Sequence, residues 1–430
     1  GAGLEAVAVT ERDEPQAVIG SRLHEMAYPE GYRAHAARGS RLREAHVHGG
    51  NVLSLQLRGE YLFAAQGKGG LRIYDVAQID HKGFSQRIST APVSALGQKL
   101  SVETKDATSV ALPTTQAVDA GRQVRADNQE QRVHPIYDYA FVTDREEGLV
   151  VVGPLHTLLD GDPRNNFVHR AATFNEGGAL TGATSMTLAG TVGYVTTPQG
   201  LVVLDLDDPR APRVLTRIGA PAMKEPRGVA VQFRYAFVVD AEGLKVLDVT
   251  VPREPRTVEG AAVPIPDARS VYLARTYAYV AAGRAGIAIV DVERPTRPRL
   301  DQTWNAGGAI DDARDVKLGA TNGSIFAYVA DGKNGLRVVE MISANDTPGA
   351  YGFSPRPTPR LVATYRTRGP AVALSRGVER DRAVDETGHQ IAVFGRRGAR
   401  PLNREEQARL YLRDGKLFTV SDKPPSKPKE

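Results

Sequence analysis

Three stretches of the chain alternate apolar and polar residues in the same order and close the same way. "TPQGLVVLDLDDPRAPR" begins at Thr197, "DAEGLKVLDVTVPREPR" at Asp240 and "GRAGIAIVDVERPTRPR" at Gly283, each 43 residues after the last. Around the middle copy the full unit reads "RGVAVQF", "YAFVVD", "AEG", "LKVLDV" and "TVPREPR". Period-two alternation rich in Val, Ile, Tyr and Phe predicts strands. The glycine before each third run (Gly200, Gly243, Gly286) suits the positive φ of a tight hairpin. Proline cannot donate to a ladder, so the Pro-x-x-Pro-Arg segments mark the start of an outer strand. The following runs, "RVLTRIG", "RTVEGAA", "RLDQTWN" and "RLVATYR", then place Arg213, Arg256, Arg299 and Arg360 at the periphery.

The same template recurs at residues 59–76, 137–152 and 324–341, and in a weaker copy, "DRAVDETGHQIAVFG", at 381–395 with "AVALS" upstream as its first strand. The third runs start at Leu71, Leu149, Leu201, Leu244, Ile287, Leu336 and Ile391, which makes seven units. A period of about 40–50 residues with three or four strands per unit is that of propeller blades. A lone blade exposes two apolar faces, so blades stack, and closing the ring removes unpaired edges. The expectation is one all-β, seven-bladed β-propeller over residues 49–400. Residues 1–48 form an N-terminal arm whose "LEAVAVTE" offers a ring-closing strand. "LFTV", at 417–420, competes for that place from a C-terminal segment, 401–430, with a disordered Pro- and Lys-rich end. Residues 77–132 read as a long insertion between the first two units, and "MISANDTPGAYGFSPRPTPR" enlarges the sixth. Insertions in repeat proteins gather on one face, often the binding face.

The third runs "GLVVLDL", "GLKVLDV", "GIAIVDV" and "GLRVVEM" resemble the LVIVD repeat, and the resemblance extends over roughly residues 50 to 400. Units two and seven depart from it, with Gly153 and Gly395 where the others have Asp or Glu. The resemblance implies a propeller of bacterial or archaeal surface type, exported to the periplasm, cell surface or exterior. It implies a binding or scaffolding role and carries no shared catalytic set.

Composition narrows the chemistry. The chain has no cysteine, which excludes disulfides, thiolate metal sites, a cysteine nucleophile and haem attached to this chain through Cys-x-x-Cys-His. No apolar run approaches the roughly 18–20 residues of a membrane-spanning helix, so no transmembrane segment is expected. The chain starts at Gly1, as a processed exported protein or a piece of a longer polypeptide would. Fifty-five basic residues against 50 acidic ones leave a net charge of +5. That near balance, without aromatics interleaved among the basic residues, disfavours a nucleic-acid partner.

Three units begin their innermost strand with acid-x-Arg: "EPRGV" at Glu225, "DARSV" at Asp267 and "DARDV" at Asp312. Arg227, Arg269 and Arg314 then stand on adjacent blades at the channel mouth, where they suit a carboxylate or phosphate. Alternatively each pairs with an acid of its own or the next blade and fastens the ring. Asp311, Asp312 and Asp315 in "GGAIDDARD", and Asp160, Asp162, Asn165 and Asn166 in "DGDPRNN", offer the oxygens that Ca²⁺ takes, or are ordinary turn residues. His46 and His48 share one strand face, from which they could reach a metal or a neighbouring haem.

The reading that follows is a non-catalytic exported propeller without a resident cofactor. It acts as a protein-binding or assembly scaffold for an acidic partner, in its most specific form as an accessory subunit of a cell-surface complex such as a multihaem cytochrome assembly. The rival is a metal-dependent hydrolase or lyase with its site at the channel mouth, built on Asp267, Asp311 and Asp312.

Overall fold

The computed structural model describes residues 51–58, 61–75, 100–113, 134–158, 168–321, 324–343 and 354–375, with two-residue strands at 396–397, 400–401, 412–413 and 416–417. These residues form an all-β propeller of six antiparallel four-stranded blades. Blade 1 comprises β1 (Ser54–Arg58), β2 (Tyr61–Ala65), β3 (Leu71–Asp75) and β4 (Ser101–Val102). Blade 2 comprises β5 (Ala107–Ala111), β6 (Ala140–Asp144), β7 (Gly148–Gly153) and β8 (His169–Phe174). Blade 3 holds β9 (Ser185–Ala189), β10 (Val192–Thr197), β11 (Gly200–Asp205) and β12 (Arg213–Gly219). Blade 4 holds β13 (Gly228–Gln232), β14 (Tyr235–Val239), β15 (Gly243–Asp248) and β16 (Arg256–Pro264). Blade 5 is β17 (Ser270–Ala274), β18 (Tyr277–Ala281), β19 (Ile287–Asp291) and β20 (Arg299–Trp304). Blade 6 is β21 (Asp315–Thr321), β22 (Ser324–Ala330), β23 (Leu336–Ile342) and β24 (Arg360–Tyr365).

Seven blades were the expectation, and the described four-stranded sheets number six. The third run of the seventh unit, at Ile391, lies outside the described residues. Its upstream segment, Ala371–Ser375, is present as a single passage between blades 6 and 1. Gly332 and Ala371 form a β-bridge, Leu374 N donates to Asp315 Oδ2 at 2.9 Å, and Leu57 N donates to Ser375 Oγ at 2.7 Å. The sequence pattern of this unit is the weakest of the seven. A sheet is stabilised by its cross-strand pairs, and the second run of this unit, "DRAVD", offers only Ala383 and Val384 where β2 and β14 read "YLFAA" and "YAFVV". The stretch 77–132, expected as an insertion, contains β4 and β5 and so is partly blade.

Alternation along each strand feeds two cores at once. Phe237 and Val239 of β14 pack toward blade 5, and Ala236 and Val238 pack toward blade 3. Tyr61, Phe63 and Ala65 of β2 face blade 2, while Leu62 and Ala64 line the opposite face with Tyr74. Most of the blade interfaces therefore repeat one arrangement of small and branched side chains, at densities where a single lost methylene is felt.

The outer strands begin where the prolines place them. In blades 3 to 6 an acid at or near the end of the third strand stands opposite the arginine opening the fourth: Asp205 and Arg213, Asp248 and Arg256, Asp291 and Arg299, Glu340 and Arg360. Arg213 and Arg299 bond their partners at 2.7 Å, and Arg360 bonds Glu340. A register shift interrupts each of these four pairings, and the same occurs in blade 2. A bulge of this kind bends and twists the outer strand.

Candidate site at the channel mouth

The first strands of the blades surround a central channel, and each turns some of its polar side chains to the next blade. Gln56 Nε2 donates to Leu112 O at 3.1 Å and Leu112 N donates back to Gln56 Oε1 at 2.8 Å. Thr108 Oγ1 donates to Ala183 O at 2.9 Å, and Thr187 Oγ1 to Val229 O at 2.7 Å. These ties satisfy polar groups between strands of neighbouring sheets, which share no continuous ladder.

One end of the channel carries the starts of the first strands together with the hairpins joining second and third strands. Gly228 opposite Val239 and Ser270 opposite Ala281 fix that arrangement. Here the structure brings Arg227, Arg269 and Arg314 onto adjacent blades, as the acid-x-Arg spacing requires, and threads Asp267 and Asp312 between them. Arg227 Nη1 reaches Ala268 O at 3.2 Å and Asp267 Oδ1 at 3.5 Å. Arg269 clasps Asp267 with Nε and Nη2, at 3.0 and 2.7 Å, and extends Nη1 to Asp312 Oδ1 at 2.6 Å. Arg314 Nε closes on Asp312 Oδ2 at 2.9 Å. The result is a ladder of alternating charge across blades 4, 5 and 6. Burial opposes ionisation of Asp312, but the hydrogen bonds and charges of Arg269 and Arg314 outweigh it and hold the carboxyl below its ordinary value. Its hydrogen bonds to Asp267, and then to Asp312, push the Arg269 guanidinium up against the opposing effect of burial.

Glycines let the carboxylates in. A Cβ on Gly283 would lie 2.0 Å from Asp267 Oδ2, and one on Gly332 would lie 1.9 Å from Asp312 Oδ2. Asp267 itself adopts a left-handed conformation, with φ of +55°, which aspartate tolerates better than most residues.

The remaining sequence candidates separate. Asp311 binds the Asn334 side chain, and its backbone N–H donates to Asp331 Oδ1 at 3.2 Å. Asp315 accepts Lys317 Nζ at 2.5 Å and the backbone N–H of Leu374. Among the described residues no three His, Asp or Glu side chains converge as a metal site. His46, His48 and the Asp160–Asn166 cluster lie outside the described residues.

Three carboxylates outside the sequence candidates prove central. Asp144 ends the second strand of blade 2, Asp240 and Asp331 directly follow those of blades 4 and 6, and all three are fully buried. Asp240 Oδ1 caps the hairpin through Glu242 N and Gly243 N, while Oδ2 takes Lys224 N and Lys245 Nζ, at 3.0 and 2.7 Å. Asp144 takes Glu146 N, Glu147 N and Asp106 N. Asp331 takes Asp312 N at 2.8 Å and Arg337 Nε at 3.0 Å. Each clamps a hairpin to the segment leading into the first strand of its own blade. The signal is present in "FVTDREEG", "FVVDAEG" and "YVADGKNG", where an Asp precedes the glycine by three or four residues.

The LVIVD-repeat family model matches residues 49–85, 136–153, 225–259, 266–305 and 312–348, consistent with an LVIVD-repeat β-propeller. These regions fall on blades 1, 2, 4, 5 and 6. No curated protein matches the chain. Among solved structures the chain is similar to the β-propeller domain of Cps50 (Swd1) from Myceliophteria thermophila, at 12% identity over 76% of this chain and 90% of that one, with a TM-score of 0.47. It is also similar to a functionally unknown protein from Desulfotomaculum acetoxidans, at 9% identity over 76% and 88% of the two chains, with a TM-score of 0.49. A third likeness, to AztD from Citrobacter koseri, has 13% identity, coverage of 75% and 88%, and a TM-score of 0.40.

Proposed function

We propose that the chain is a non-catalytic, exported binding module that docks an acidic protein partner on the hairpin face of its propeller. The observation that carries this reading is the pinning of that face by the buried caps Asp144, Asp240 and Asp331 and by the arginine–aspartate ladder. A face ordered in advance loses little conformational freedom on docking. Its tips on blades 1, 5 and 6 present Lys68, Arg284 and Lys333, all exposed, as an arc of positive charge. Such an arc steers an acidic surface into encounter, and its effect weakens with salt.

The cell surface is the setting that the repeat resemblance suggests for such a module. The narrower form, an accessory subunit of a multihaem cytochrome assembly, rests on His46 and His48 and draws no support from the described geometry. A metal-dependent hydrolase or lyase draws none either, since Asp267 and Asp312 are already taken up by guanidinium groups.

The test is capture of partners from native extract on the immobilised full chain, with stepwise salt elution and native mass spectrometry of the complexes. A stoichiometric acidic protein should elute as ionic strength rises past about 0.15 M, where screening lengths fall to about 8 Å. Arg284→Glu with Lys333→Glu should reduce its capture about ten-fold, as charge reversal at an interface rim does through encounter rate. Retention that ignores both salt and charge reversal would sink the proposal.

A further inference from the structure

The channel encloses a cavity of about 310 Å³ between the first strands of the blades. Its described wall is electrically lopsided. The charged side chains that reach it are Arg227, Arg269, Arg314, Lys317 and a single acid, Asp315, all from blades 4 to 6. Asp267 and Asp312, which pair with these arginines, do not line the cavity. Blades 1 to 3 contribute neutral groups, among them Ser54, Gln56, Thr108, Thr184 and Thr187.

Several donors on the charged side are not spent on other described residues. Arg227 bonds through Nη1 alone, which leaves Nε and Nη2. Arg314 bonds through Nε alone, which leaves both terminal nitrogens. Their side chains are 37% and 42% exposed. On the strand between them, Ser270 Oγ is buried without a hydrogen-bond partner among the described residues. A buried hydroxyl left unsatisfied costs free energy comparable to a lost hydrogen bond. Three residues with unspent donors thus lie on three consecutive blades around one cavity.

We propose that this cavity binds a small organic oxyanion, a carboxylate or phosphate monoester carried on a neutral hydroxylated body. Arg227, Ser270 and Arg314 take the anionic group, and the hydroxyl- and amide-bearing wall of blades 1 to 3 faces the rest. Guanidinium donors favour oxyanions through charge-assisted and bidentate bonds. One wall acid already bound to Lys317 and Leu374 N leaves no cluster of free carboxylates for a cation. Cavities of this size, with a few convergent polar groups, are of the kind that hold small ligands. The inference goes beyond the docking face, because the hairpin-tip cations Arg284 and Lys333 do not line the cavity.

Isothermal titration of the full chain at constant ionic strength tests it, with glucose 6-phosphate, gluconate and glucose as probes. Saturable 1:1 binding of at least one charged probe is expected, and the stronger of the two identifies phosphate or carboxylate as the preferred group. Glucose should bind at least ten-fold more weakly than that probe. Arg227→Gln and Arg314→Gln should each weaken binding about ten-fold or more, a loss typical of one charged hydrogen bond. Ser270→Ala should weaken it several-fold without lowering the melting temperature of the ligand-free protein, which rises if anything, since the hydroxyl is buried without a partner and its removal relieves that cost. The hairpin-tip variant Arg284→Glu with Lys333→Glu should bind the probes as the parent does, even where it loses a docked protein. Absence of saturable binding by both charged probes, equal binding of glucose, or full affinity in the Ser270→Ala protein would overturn the proposal.

Discussion

At Gly332 two demands meet on one residue. Its φ of +48° lies in the left-handed region, and a Cβ there would sit 1.9 Å from Asp312 Oδ2. Gly260 shares only the first demand, with φ of +73° and no atom within 4 Å of the added carbon. Gly260→Ala should therefore cost only the left-handed penalty, roughly 1–2 kcal/mol. Gly332→Ala should cost about 3 kcal/mol or more, since Asp312 must also leave Arg269 or Arg314. Urea denaturation of the two variants decides the matter, and equal costs would mean that the ladder yields freely. The acid-x-Arg spacing at Glu225, Asp267 and Asp312 was readable in the sequence as either a ligand site or a fastening. Only the distance between blades settles that Asp312 receives Arg269 from one blade and Arg314 from its own. That distance is a product of packing, which no local pattern contains. Glu225 has the spacing without the glycine contact that admits Asp267 and Asp312.

Among the strands, the sequence pattern is plainest where alternation is strongest. The third runs beginning at Leu71, Leu149, Leu201, Leu244, Ile287 and Leu336 all lie in third strands, and the runs after the prolines become β12, β16, β20 and β24. β5, "ATSVA", escapes because polar side chains on a channel-facing strand, Thr108 and Ser109, find their partners across the sheet and the next blade. β4 has only two residues and no period to show. The conspicuous Pro-x-x-Pro-Arg signature marks the outer edge, and the structure gives it modest weight. Arg213, with its side chain 69% exposed, should tolerate replacement by alanine at under about 1 kcal/mol, as exposed ion pairs do. Asp331 is the contrasting case, fully buried and shared by Asp312 N and Arg337. Asp331→Ala strands the Arg337 guanidinium, 15% exposed, and should cost about 3–5 kcal/mol. Similar unfolding midpoints for the two variants would place the strength of the blade at its edge rather than at its hairpin cap.

Across the whole ring, cohesion comes from apolar cores between blades and from a different polar tie at each junction. Gln56, Thr108 and Thr187 serve blades 1 to 4, the arginine–aspartate ladder serves blades 4 to 6, and Asp315 and Ser375 carry the circuit through 371–375 to blade 1. Acid acts on this circuit unevenly. Burial opposes the ionised forms of Asp144, Asp205, Asp291 and Asp312, yet hydrogen bonds, joined by nearby arginines at the last three, prevail and hold all four carboxyls below their ordinary value. A carboxyl with a lowered value in the folded state adds stability that is complete above its unfolded value, about 3.9 for aspartate, and is lost as pH falls through the folded one. Arg269 is shifted upward, so its contribution is in place throughout the acid range and confers no slope there. The melting temperature should thus stay level from about pH 7 to pH 5 and fall below about pH 4, as carboxylates released from their partners take up protons. Asp312→Asn separates the ladder from the other three. At pH 7 the variant should melt below the parent, because Arg269 and Arg314 lose their shared charge, and the gap should narrow as both approach pH 3. A gap that persists unchanged at pH 3 would mean that Asp312 holds blades 5 and 6 by shape alone, and that the charge at the channel mouth is there for what it binds.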